Sequence, residues 1–232
     1  MTMDVAVMFS GGKDSVFAVH HCLKKGWKVA KLIGVKPKNT EAFLYHYATV
    51  EWAKLSSDAL GVPFTLLRTD AEGPEAEAEV LDTEFHSLQK AGVTAIVLGG
   101  VGLQKTQISS IETIAKRYGM KVMVPHARYT SLQLLEEEVK AGMDIVITDV
   151  ASDGLDIKWL GKRISAENFS SFVALAMRYG FDVLGEGGYY NTFVVDAPFF
   201  QKRVEFKRTE TVWDAQTESG FLDVKDAALV AK

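Results

Sequence analysis

The run Ser10-Gly11-Gly12-Lys13-Asp14-Ser15 constrains this chain more than any other stretch. Before it, Val5-Ala6-Val7-Met8-Phe9 is short and wholly apolar, the pattern of a strand buried on both faces. After it, Val16-Phe17-Ala18-Val19 opens a helical pattern that ends at Lys24-Lys25-Gly26. A buried strand, two glycines, hydroxyls and a helix N-terminus together make an anion site. Glycine lets the backbone approach an oxyanion closely, and the first amides of a helix have no partner within it. Lys13 adds a positive charge, and Ser10 and Ser15 add hydroxyl donors. Two better-known phosphate loops do not fit. A Walker A loop needs a glycine where Val7 stands and Ser or Thr where Asp14 stands, and the three spaced glycines of a dinucleotide fingerprint are absent. A carboxylate inside an anion loop repels its ligand unless a cation lies between them, so Asp14 points to a metal-bridged polyphosphate, with magnesium the expected ion.

The first half alternates apolar strands with helices. Strands are expected at 29–35, 64–68, 95–98 and 121–124, and helices at 48–60, 76–91 and 109–118. Such alternation calls for an α/β fold, a parallel sheet with helices on both faces and ligands beyond the carboxyl ends of the strands. Val35, near the end of the second strand, is placed to read an adenine edge through its backbone, with the aromatic run 43–47 close behind. Gly99-Gly100-Val101-Gly102 after the fourth strand is a close-approach loop followed by Lys105. From Pro125 the pattern changes. A helix over 132–141, a strand over 144–150, a helix over 165–179 capped by Ser165, a strand beginning at Val183, and strands at 193–196 and 203–212 are expected. Domains are drawn at 1–125 and 126–232. Gly185-Glu186-Gly187-Gly188 is a second glycine-rich turn, in which Glu186 can hold a cation, an amine or a proton.

Composition narrows the setting. A formal net charge of −4 argues against a general nucleic-acid binder, and no apolar run reaches the length of a membrane span. The start of the chain enters a strand almost at once, which predicts no secretory signal and a cytoplasmic location. The single cysteine, Cys22, reads as a small buried hydrophobe in the first helix. The histidines are scattered, so no metal other than phosphate-linked magnesium is expected.

The loop at 10–15 resembles the pyrophosphate loop (PP-loop) of the N-type ATP pyrophosphatases, which cleave ATP to AMP and pyrophosphate while activating an oxygen of a second substrate. With Gly154-Leu155-Asp156, Trp159-Leu160-Gly161, Gly185 to Thr192 and Val195 to Phe200 in that order, nearly the whole chain resembles the diphthine–ammonia ligase family. The resemblance implies a Rossmann-like (HUP-type) ATP domain over 1–125 and a smaller α/β substrate domain over 126–232. It implies ATP-dependent amidation of diphthine, the modified histidine of elongation factor 2. ATP and Mg2+ would be the cofactors, and ammonia and the elongation factor the partners; a homo-oligomer is left open.

Carried over residue by residue, the resemblance implies that Ser10, Gly11, Gly12, Lys13, Asp14, Ser15, Val35 and Gly100 bind the nucleotide. It further implies that Lys13, Asp14 and Glu186 are catalytic, that Asp14 holds the metal, and that Glu186, Gly187, Gly188, Tyr190 and Thr192 face the second substrate. The family's glycine turn carries carboxylates where this chain has Tyr189 and Asn191, and its Pro-Leu-Trp stretch is replaced by Pro125-His126-Ala127-Arg128. Two other functions fit the residues: an N-type ATP pyrophosphatase acting on a different acid or nucleoside, and a nucleotide-binding sensor without turnover.

Overall fold

The computed structural model describes residues 2–38, 49–101 and 105–232. The chain opens with strand β1 (Asp4–Met8), helix α1 (Lys13–Lys24), strand β2 (Lys28–Pro37), helix α2 (Ala53–Leu60) and strand β3 (Phe64–Thr69). Helices α3 (Pro74–Ala78) and α4 (Asp82–Lys90), strand β4 (Ala95–Val97), helix α5 (Lys105–Arg117) and strand β5 (Lys121–Met123) follow. These five strands form one sheet in the order β3-β2-β1-β4-β5, and every pairing is parallel. Strand order reverses between β1 and β4. Open α/β sheets bind ligands in the crevice such a reversal leaves, and the glycine loops after β1 and β4 both end there.

Successive residues of a strand face opposite sides of a sheet. Val5 and Val7 of β1 therefore join a core with Val16 and Val19 of α1 and Ala59 of α2. Ala6, facing the other way, joins a second core with Leu81, Phe85 and Leu88 of the 79–90 segment and Ile111 and Ile114 of α5. Both faces are covered, which is why the strands read as unbroken apolar runs.

The rest of the chain adds helix α6 (Ser131–Lys140), strands β6 (Asp144–Val150) and β7 (Arg163–Ile164), helix α7 (Phe169–Tyr179), and strands β8 (Tyr190–Asp196), β9 (Arg203–Asp214) and β10 (Ser219–Val230). The second sheet runs β7-β6-β10-β9, with β8 also on β6, and all its pairings are antiparallel. Its apolar face continues the first core: Ile145, Ile147, Phe172 and Val194 share it with the residues of α1. Helix α6 starts on a capping box, in which Gln133 N donates to Thr130 Oγ1 at 3.2 Å and Thr130 N to Gln133 Oε1 at 2.9 Å.

Several sequence expectations are corrected. Val183-Leu184 is a turn and not a strand, because Asp182 Oδ1 accepts from Leu184 N at 2.9 Å and bends the backbone. The helix expected from Ser165 starts at Phe169; Asn168 Oδ1 instead accepts from Ser165 N at 2.9 Å, so the turn precedes the helix. The helix expected over 76–91 is broken by a 3-10 turn at Glu79–Leu81. Strand β10 was not foreseen, and it supplies the long pairing partner of β9. The aromatic run 43–47 lies outside the described residues. Cys22 is fully buried, and burial pushes its thiol up to about 12.

Three histidines distant in sequence or side by side on α1 meet in one aromatic cluster. His126 packs on Phe17 with ring centroids 4.8 Å apart and meets His21 edge-on at 5.4 Å, and His20 lies against Phe199 at 5.0 Å. His126 is 1% exposed, and neither ring nitrogen has a hydrogen-bond partner among the described residues. Burial, then His21, lower its pKa to about 4, against a smaller opposing pull from Asp14. The unfolded chain takes up this proton near pH 6.5 and the folded one only near 4. Stability is therefore complete above about pH 6.5 and falls as the pH drops towards 4, by on the order of 3 kcal/mol for His126 alone. Urea unfolding of the protein and of His126→Phe between pH 8 and pH 4 should show this loss in the former and a much flatter profile in the latter.

Candidate active site

The loop after β1 is shaped by its own glycines. Gly11 has φ +80°, and a Cβ there would lie 2.7 Å from the Phe193 ring, so glycine is needed for both conformation and space. Gly12 is extended, and Lys13 begins α1. Within the loop Ser15 Oγ donates to Gly12 O at 2.9 Å, Gly12 N donates to Ser10 Oγ at 3.3 Å, and Ser10 N donates to Ser15 Oγ at 3.3 Å. The hydroxyls that a phosphate would engage are thus already tied into the turn.

Strand β8 closes over this loop from the far end of the chain. Val194 N donates to Gly11 O at 2.9 Å, and Lys13 N donates to Thr192 Oγ1 at 3.2 Å. On the other side the loop after β4 presses in, since a Cβ on Gly99 would lie 2.4 Å from Asp14 O. The 185–188 turn reaches the same place. Glu186 Oε1 accepts from Val101 N at 3.4 Å and would lie 3.2 Å from a Cβ on Gly100, which has φ +94°. Asp182 Oδ1 accepts from Glu186 N at 3.3 Å, and Tyr190 Oη donates to Val183 O at 2.7 Å, so both ends of the turn are held.

Lys13 points into the protein, and its side chain is 4% exposed. Its Nζ bonds Asp14 Oδ2 at 2.7 Å and lies 5.7 Å from the centre of the Tyr190 ring. Burial opposes its charge, but Asp14, Glu138 and Tyr190 outweigh burial and raise the pKa of Lys13. Tyr190 is itself buried, and burial raises its hydroxyl well above the ordinary range. Glu138 of α6 is completely buried beside these groups, and burial followed by the charge of Asp14 raises its carboxyl well above the usual carboxylate range. Sequence reading missed Glu138, although it lies four residues after Leu134 and three after Leu135, on the face of α6 that those leucines bury.

Other expected residues sit as follows. Val35 is on β2 with its side chain in the second core and its backbone in register with Leu67 of β3; the β1–β2 register ends before it, at Met8 with Ile33. Lys105 is exposed at the start of α5. Gly187 and Gly188 are exposed, at φ +91° and +86°. Tyr189 turns to Phe181, with centroids 6.3 Å apart, and Asn191 faces Asp149 across the β6–β8 pairing. Neither replaces a carboxylate with another charge. Among the described residues no cluster of three or more His, Cys, Asp or Glu side chains is arranged to hold a metal ion, and no helix is long and apolar enough to cross a membrane. Asp14 Oδ1 is a buried acceptor without a hydrogen-bond partner, which suits a cation contact at this residue.

A parallel sheet with a glycine loop at its strand-order reversal, sealed by a second sheet, is the arrangement of a nucleotide-binding α/β enzyme. The comparisons with known proteins are specific. Residues 3–122 match the model described as "Diphthamide synthase N-terminal domain", and residues 130–230 match "Diphthamide synthase C-terminal domain". The protein from Danio rerio named diphthine–ammonia ligase is 30% identical, over 95% of this chain and 94% of its own length. The human protein of that name is 28% identical over 90% of this chain and 85% of its own. The one from Schizosaccharomyces pombe is 28% identical over 96% of this chain, which spans only 39% of that longer protein. The chain belongs to the diphthine–ammonia ligase family of ATP-using ligases.

The Asn191–Asp149 pair offers a test of how this chain tolerates its departure from the family's motif. Burial raises Asp149 to about 6, and the hydrogen bond to Asn191 partly counters it. Asn191→Glu would place two carboxylates opposite each other, costing about 1–2 kcal/mol when both are ionised. Urea unfolding should show the loss at pH 8 and a smaller one at pH 5.5, where Asp149 carries its proton.

Proposed function

We propose that the protein is an ATP-dependent amide ligase that adenylates the carboxylate of diphthine on elongation factor 2 and transfers ammonia to it. The observation that carries this reading is the meeting of two motifs from opposite ends of a family member's chain. Glu186 of the second glycine turn bonds the loop after β4, beside the loop at 10–15. In this reading the polyphosphate of ATP lies on Ser10 to Ser15 and the amides at the start of α1, and the adenine lies along the end of β2 near Val35 and Gly100. The acceptor enters against Glu186, Gly187 and Gly188, with Tyr190 and Thr192 buried behind them, Tyr190 beside Lys13 and Thr192 on the Lys13 amide.

The substrate carboxylate oxygen attacks the α-phosphorus in line, and the bond to the pyrophosphate oxygen breaks. Ammonia then attacks the acyl carbon of the adenylate, AMP leaves, and the nitrogen sheds a proton to give the neutral amide. Lys13, kept protonated by Asp14, supplies positive charge next to the leaving pyrophosphate. Glu186 orients the incoming amine. Magnesium, when bound at Asp14, supplies further neutralisation of phosphate charge. Positioning and charge neutralisation are what such displacements demand of a protein.

The replacement of two family carboxylates by Tyr189 and Asn191 favours one competing reading, in which the same nucleotide chemistry acts on a different acid. AMP and pyrophosphate release from ATP should be measured with ammonium and diphthine-bearing elongation factor 2. Stoichiometric, acceptor-dependent AMP is expected. ATP binding without AMP release would move the function to another acceptor or to a sensor. Lys13→Ala should lower turnover about a hundred- to thousandfold, and near-normal turnover would remove Lys13 from the mechanism.

A further inference from the structure

The turn that carries Glu186 lies between α7 and β8 with no helix or strand of its own, so its shape must come from side chains. Two supply it. Asp182 Oδ1 accepts from Leu184 N at 2.9 Å and from Glu186 N at 3.3 Å, which bends the chain back on itself. From the other end of the turn, Tyr190 Oη donates to Val183 O at 2.7 Å. Gly185 folds tightly against the same tyrosine: it has φ +85°, and a Cβ there would lie 2.7 Å from Tyr190 O and 3.0 Å from the ring. Tyr190 is 2% exposed, meets Phe172 edge-on at 5.5 Å and has Lys13 Nζ 5.7 Å from its ring centre. One side chain thus touches both the root of the Glu186 turn and the lysine of the loop at 10–15.

We propose that Tyr190 and Asp182 are positioning residues that fix Glu186 relative to Lys13 for the amination step. The proposal rests on the ligase reading above, in which Lys13 faces the leaving pyrophosphate and Glu186 the amine. Neither Tyr190 nor Asp182 touches a reacting atom in that reading. A misplacement of about 1 Å can cost about a hundredfold in rate, and side chains locked by packing and hydrogen bonds are what prevent it. Lys13 begins α1 and is held by Asp14, so it keeps its place without the hydroxyl of Tyr190. The Glu186 turn has no such support, and loss of the hydroxyl therefore falls on the second step. The acyl-adenylate still forms, but ammonia is poorly placed. Water then attacks the acyl carbon in its stead, returning the carboxylate and AMP.

The test follows AMP release and amide formation together in the full chain, with diphthine-bearing elongation factor 2 as acceptor and ammonium varied. Tyr190→Phe keeps the ring and removes the hydroxyl. It should raise the KM for ammonium about tenfold and lower the amide formed per AMP, with the KM for ATP retained. Saturating ammonium should restore the amide yield, which it could not do if folded protein had simply been lost. An unchanged ratio of amide to AMP, or equal losses in every parameter, would overturn the proposal. Asp182→Ala, which frees Leu184 N and Glu186 N, should give the same signature and decides alone if Tyr190→Phe does not fold. Asp182→Asn keeps an acceptor oxygen and should rescue the yield. If the unaltered protein forms no AMP with this acceptor, the ligase reading fails by itself. Amide hydrogen exchange over 183–188 then judges the two side chains: faster exchange confined to that turn in Tyr190→Phe supports the positioning role, and unchanged exchange overturns it.

Discussion

The contact on which most of the site depends is the docking of β8 onto the loop at 10–15. Val194 N to Gly11 O and Lys13 N to Thr192 Oγ1 are backbone-anchored bonds between the two ends of the chain. They work only because Gly11 leaves room for the Phe193 ring. A helix N-terminus normally offers its first amides to whatever anion arrives. Here one of them is already committed to a hydroxyl of the second sheet, so the geometry of the loop is set by a strand that follows it late in the sequence. The apolar core running from α1 into β6 and α7 keeps that docking in place. Neither sheet builds the site alone.

Charge balance beneath the loop follows from the same docking. Burying an ammonium costs several kcal/mol unless it is paired, and Lys13 is buried with its side chain on Asp14 and beside Tyr190. Tyr190 comes from the first residue of β8 and Glu138 from α6. The lysine that a loop sequence presents as a free phosphate ligand is thus held by groups from three separate elements. Its charge is fixed in place before any ligand arrives.

Legibility in the sequence followed the range of the interactions. The parallel sheet could be read because each buried strand and its flanking helix announce themselves within a short window. The loop at 10–15 was equally local. The glycine turn at 185–188 was legible, but Val183-Leu184 before it was misread as the start of a strand because the bend there depends on an Asp182 side chain bonding its own neighbours, which an apolar pair conceals. Strand β10 has a mixed, half-exposed face and depends on β9 for its pairing, so its own pattern is weak. Glu138 was overlooked in Glu136-Glu137-Glu138 because Glu136 and Glu137 pair with Lys140 at the surface and the three read as one solvated run. The helical period separates them: Glu138 shares its face with Leu134 and Leu135.

The departures at 189 and 191 acquire a physical meaning from where those side chains go. A carboxylate at 189 would have to lie where Tyr189 now meets Phe181 and the apolar core, and one at 191 would face Asp149. Tyrosine fills the first place with a ring that packs, and asparagine turns the second from a repulsion into a hydrogen bond. The glycine turn is therefore less acidic and its base better supported. Less negative charge from the turn leaves Asp14, Glu138 and Glu186 as the carboxylates acting on one another around Lys13. With Lys13 as the compensating cation, that set carries more negative than positive charge when ionised. Part of the difference is supplied by a proton on Glu138, whose carboxyl burial and the neighbouring Asp14 hold well above the usual carboxylate range.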